Sequence, residues 1–148
     1  MPADPAYLTS RVEYLGQLRT RATHVASGAE IVTDAPTDNH GRGEAFSPTD
    51  LAATALASCM LTIVGIAAQA RDFDIDGATA EVVKVMGGPP RRIRAVRTVL
   101  HMPARAYTPQ QQKVILEAAR GCPVARSLGD DVDQELEVVW ATAEATTA

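Results

Sequence analysis

Aromatic residues make up only 4% of this 148-residue chain, and positive charge is not in excess. Fourteen Lys and Arg stand against 18 Asp and Glu, a formal net charge of −4 with a pI near 5.3. That balance excludes a general nucleic-acid binder, which needs a basic face and aromatics to stack on. Cysteine is also scarce. Two cysteines argue against a disulfide-stapled scaffold, and the opening Met1-Pro2-Ala3-Asp4-Pro5 has neither the basic n-region nor the apolar h-region of a secretory signal. Together they point to the reducing cytoplasm, where a pair of thiols is more often reactive or metal-bound than structural. No GxGxxG, Walker A or GxSxG pattern occurs, so dinucleotide, phosphate-loop and serine-hydrolase readings have no support.

What the chain does have is core-forming residues: 46% are hydrophobic and 22% charged, enough for one globular domain spanning 1–148. Twenty uncharged residues run from Leu51 to Ala70. Their number meets the threshold for a membrane span, but the run is dominated by Ala and diluted by Thr54, Ser58, Thr62 and Gln69. A buried central helix is expected instead, and no membrane association.

Alternation predicts strands at 11–15, 18–25 and 30–34, joined by turns at Gly16-Gln17 and Ser27-Gly28. Ser47 is a good N-cap for the long helix, with Pro48 at its first position and Asp50 where a capping box places its acid. Further strands are expected at 79–86 and 93–102 around Gly87-Gly88-Pro89-Pro90. Thr108-Pro109 with Gln111 predicts a capped helix to Arg120, Cys122-Pro123 opens a short one to Leu128, and a last strand falls at 135–141 before a fraying Ala/Thr tail. The fold class is α+β, antiparallel sheets packed on a long central helix carrying Cys59.

Cys59, in the middle of that helix, reads as a small buried hydrophobe or as a nucleophile, and it reacts only if a cation stabilises its thiolate. Cys122 sits at a helix N-cap, where free N–H groups favour thiolate, and Gly121 before it allows the backbone to swing; the other reading is a cap that happens to be Cys. His24, His40 and His101 with the two cysteines could make a metal site, but none show CxxC, HxxxH or HExxH spacing, so no metal or cofactor is expected. Arg91, Arg92, Arg94 and Arg97 look like a solvated strand edge. Arg19 and Arg21, two apart on one strand, share a face and either point into a cleft or stand exposed.

Ser47-Pro48-Thr49-Asp50-Leu51 leading through an Ala-rich helix to Ala57-Ser58-Cys59 resembles the reactive-cysteine stretch of the OsmC/Ohr family. Gly121-Cys122-Pro123-Val124-Ala125-Arg126-Ser127-Leu128 is similar to that family's second-cysteine segment. The resemblance implies an OsmC-like intertwined homodimer with the long helices at its centre. It also implies a thiol peroxidase for organic hydroperoxides: Cys59 is oxidised to sulfenic acid, Cys122 closes a Cys59–Cys122 disulfide, and an external dithiol, lipoyl or similar, reopens it. The family's activating arginine maps to Arg19 or Arg21, with Arg19 favoured. Where the hydroperoxide-resistance branch has Glu after the Pro, this chain has Thr49, with Asp50 one residue later. Asp50 lies nine residues before Cys59, roughly 13 Å along the helix, so it cannot touch its own Cys59. Leu56, Ile63 and Ile66 are the expected contacts for an alkyl tail. A non-catalytic redox sensor or binding protein of the same fold is the alternative.

Overall fold

In the computed structural model, which describes residues 5–141, residues 10–34 build a three-stranded antiparallel meander. The expected Ala/Thr tail lies outside the described residues. Strands β1 (Ser10–Gly16), β2 (Arg19–His24) and β3 (Glu30–Asp34) follow one another in order. The first turn sits one residue later than the sequence suggests: Gln17 and Leu18 both have positive φ (54° and 63°), the conformation that matches hairpin twist, while Gly16 absorbs a register shift. Register aligns Val12 with Ala22 and Ala22 with Ile31, so these three form a row on one face. Arg19 stands opposite Asp34 on the other.

Chain contacts cluster into two units, Met1–Leu51 and Ala52–Ala148. Helix α1 (Pro48–Gln69) begins in the first and continues into the second. Its start is a reciprocal capping box. Ser47 Oγ accepts the Asp50 N–H at 3.0 Å, and Asp50 Oδ2 accepts the Ser47 N–H at 3.0 Å.

The second unit holds the core. Strands β4 (Thr79–Gly87), β5 (Arg92–His101) and β6 (Asp133–Val139) form its sheet in that order, and helices α2 (Pro109–Arg120) and α3 (Pro123–Ser127) connect β5 to β6. The β4–β5 pair is antiparallel, as expected, but β6 joins β5 in parallel. The expected all-antiparallel sheets need that correction. A helical crossover returns the chain to the same end of the sheet, which a hairpin cannot do. Leu56, Met60, Val64 and Ala68 of α1 pack with Val96 and Leu100 of β5 and Ile115 and Ala119 of α2. α1 is long and apolar enough to cross a membrane by length and composition. One side of it is nevertheless buried in this core, and its exposed side is mostly small or polar: Ala52, Ala55, Ser58, Thr62 and Gln69, with Ile66 the large exception. The Thr108 capping box on α2 forms as its sequence predicts.

Candidate thiol site

α1 presents Cys59 half-buried at its midpoint. Cys122 approaches from the α2–α3 junction: Pro123 fixes the first residue of α3 and leaves Cys122 as its N-cap, fully buried. The two thiols, 63 positions apart in sequence, are neighbours in the core of this unit, and both are free. Cys122 Sγ also accepts the Ala125 N–H at 3.4 Å. The N-cap was expected to favour the thiolate. Burial instead pushes the Cys122 thiol up from its ordinary value; the Ala125 and Val124 N–H groups pull the other way, and neighbouring Cys59 adds to the rise. A five-residue helix offers little dipole to set against desolvation.

Gly121 is not held in a conformation that only glycine can take. Its φ is −97°, open to any residue. The constraint is space: a Cβ there would stand 3.2 Å from Arg126 Nη2 and 3.3 Å from the Glu117 carbonyl. Arg126 packs over it, donating from Nε to the Gly121 carbonyl at 2.9 Å.

The arginines and Asp50 belong to the first unit. Arg21 is held between acids, 3.3 Å from Glu13 Oε1 and 3.9 Å from Glu30 Oε2. Arg19 is less engaged. Its Nη1 stands 3.8 Å from Glu44 Oε2, and its buried Nε has no hydrogen-bond partner among the described residues. Asp50 caps α1 through Oδ2. Among the expected tail contacts, Leu56 is wholly buried in the core, Ile63 half-buried and Ile66 exposed. A cavity of about 420 Å³ opens in the second unit, lined by Met60, Arg120, Gln134 and Leu136. Met60 adjoins Cys59 in sequence, and Arg120 lies two residues before Cys122. Among the described residues, no three His, Cys, Asp or Glu side chains converge as a metal site.

The family model for OsmC-like proteins matches residues 41–137, two thirds of the chain and both cysteine segments. The chain belongs to the OsmC-like family. A solved Psychrobacter arcticus structure, described as an osmotic stress induced and detoxification response protein, shares 50% identity with this OsmC-like chain. It covers 88% of this chain and 95% of its own, with a TM-score of 0.85. The Legionella pneumophila organic hydroperoxide resistance protein OsmC is 16% identical, with 90% and 98% coverage and a TM-score of 0.70. The organic hydroperoxide resistance protein OhrB of Bacillus subtilis is 18% identical, with 88% and 98% coverage and a TM-score of 0.63. At those identities the last two show the shared α+β fold. No curated protein matches the chain.

Sequence reading missed two acids near Arg19. Asp34 is fully buried, and Glu44 donates its backbone N–H to Asp34 Oδ2 at 3.0 Å. The signal was available in the β2–β3 register, since a strand ending at Asp34 and turning at Ser27-Gly28 places that residue opposite Arg19. The cavity of the second unit had no such signal, because Met60 and Leu136 carry no chemistry that a sequence pattern would single out.

Proposed function

We propose that this OsmC-like protein is a cysteine-based thiol peroxidase that reduces organic hydroperoxides. The observation that carries the reading is the contact between half-buried Cys59 and buried Cys122 from a separate helix. The Cys59 thiolate attacks the distal oxygen of the hydroperoxide; the O–O bond breaks, the departing alkoxide takes a proton and leaves as an alcohol, and Cys59 becomes sulfenic acid. The Cys122 sulfur then attacks Cys59, hydroxide leaves with the thiol proton as water, and a Cys59–Cys122 disulfide closes. An external dithiol of the lipoyl type reopens it by exchange. No metal or organic cofactor takes part.

In this reading a guanidinium from the first unit, of this chain or of a second copy, stabilises the Cys59 thiolate. Arg19 is the candidate, because its side chain is the more buried of the two and its Nε has no acceptor among the described residues. The substrate's alkyl group occupies the cavity lined by Met60 and Leu136. The working form is a cytoplasmic homodimer, a state supported by the exposed Val12, Tyr14 and Ile31.

The engagement of Asp50 in the helix cap favours a second reading, a non-catalytic redox sensor, because the acid nearest the family position is committed elsewhere. Steady-state consumption of cumene hydroperoxide with dihydrolipoamide separates them. The peroxidase turns over continuously, and Cys59→Ser abolishes consumption without loss of fold. A sensor consumes one equivalent and stops. Full activity in Cys59→Ser removes the peroxidase reading.

A further inference from the structure

We propose that Asp34 and Glu44 form an acid clamp that positions Arg19, a role that rests on Arg19 being the cation for Cys59. The three residues lie together in the first unit. Arg19 and Asp34 are directly opposed across the β2–β3 ladder, so their side chains leave the same face with Cβ atoms about 4.5–5.5 Å apart. Asp34 is fully buried. Its Oδ2 accepts the Glu44 N–H, but its buried Oδ1 has no donor among the described residues. Across the ladder, the Arg19 Nε is buried and lacks an acceptor among the described residues. Two unsatisfied atoms of complementary charge thus stand on neighbouring strands, and a side-chain rotation that brings Nε to Oδ1 satisfies both.

Glu44 supplies the second acid, with its Oε2 3.8 Å from Arg19 Nη1. The segment carrying it is itself anchored. The Asp34 N–H donates to the Phe46 carbonyl, and the Ala35 N–H donates to the Leu18 carbonyl, each at 3.1 Å. Asp34 therefore fixes the backbone that presents Glu44, and its free Oδ1 is the acceptor that the rotated arginine would reach. Arg21 has no buried acid beside it: Glu13 and Glu30 are both exposed, as Glu44 is, and the difference at Arg19 is Asp34.

The test measures iodoacetamide alkylation of Cys59 at neutral pH in a Cys122→Ser background. Arg19→Ala slows it, and added guanidinium ion restores part of the rate. Asp34→Asn keeps the acceptor for the Glu44 N–H but loses the charge. It is expected to slow alkylation about tenfold, the effect of one charged hydrogen bond, and to add nothing further once Arg19 is Ala. Guanidinium should rescue Arg19→Ala but not the Arg19→Ala/Asp34→Asn double variant. An undiminished rate in Asp34→Asn overturns the clamp. So does equal slowing in both backgrounds, or equal rescue of both, which would leave Asp34 as a strut for the 35–46 segment. Should Asp34→Asn lose its circular dichroism signal, Glu44→Gln decides: about threefold slowing that vanishes in Arg19→Ala supports the clamp, and no slowing overturns it. If Arg19→Ala alone is silent, the assignment of Arg19 in the proposed function fails, and the clamp fails with it. If Arg19→Ala is slow and neither acid matters, only the clamp fails.

Discussion

The two units of this chain solve opposite burial problems. In Ala52–Ala148, Leu56, Val64, Val96, Leu100 and Ile115 are all at 0–1% exposure, packed between a helix, a sheet and a second helix. In Met1–Leu51 no described apolar residue is buried; Thr33, Asp34 and Ser47 are the buried ones, while Val12 and Tyr14 are each 65% exposed. A three-stranded sheet needs one covered apolar face to be stable. The second unit has that cover within its own residues. The first keeps polar groups inside and displays Val12, Tyr14 and Ile31, the pattern of a surface that meets another chain. The contrast supports the proposed homodimer and makes this face the place to test for its contact.

The sharpest way to test the contrast is truncation on each side. Leu100→Ala removes a wholly buried side chain from the second unit and is expected to cost about 3–4 kcal/mol, read as a lower denaturant midpoint with unchanged slope. Val12→Ala, at an exposed site, is expected to cost under about 0.5 kcal/mol at protein concentrations where the chain is a monomer. Equal costs would mean the first unit has a hidden core.

The next effect concerns the partner face. Ile31→Lys puts a charge in the row formed with Val12 and Ala22. Light scattering on the eluting protein should find a dimer for the parent chain and a monomer for the variant, since a buried unpaired charge costs several kcal/mol. A parent chain that runs as a monomer at tens of micromolar, or a variant that stays dimeric, would place the contact elsewhere or remove it.

The limits of the sequence follow the same division. Capping was legible because Ser47 with Asp50 and Thr108 with Gln111 are local patterns, and both boxes form. Alternation located the strands but not their partners. Nothing in the 135–141 pattern says that β6 runs parallel to β5, because side-chain period is the same in either direction. The cysteine contact spans 63 positions and so depends on tertiary packing; the family resemblance implied the pairing, and local pattern could not. Cys122 illustrates the gap best. Its N-cap position was readable from Pro123, but burial, which decides its ionisation, is a property of the packed core.

That last point yields the smallest of the expected effects, confined to alkaline pH. An exposed thiol ionises near 9.0, whereas burial raises the pKa of folded Cys122. Above the unfolded value, the folded state therefore holds more protons than the unfolded one, so stability falls as pH rises. The contribution is whole below the unfolded pKa and is lost as pH climbs through the folded pKa. Tyr107 is shifted the same way by burial, but it is present in both proteins and cancels in a comparison. Reduced parent protein and Cys122→Ala, each unfolded in urea at pH 7.5 and pH 10, should differ less at the higher pH. The parent loses its thiol's contribution there, and the variant never had it. A gap that stays constant or widens would mean that Cys122 ionises in the fold as readily as in the open chain. The buried second unit would then be wetter at the α2–α3 junction than the core packing indicates.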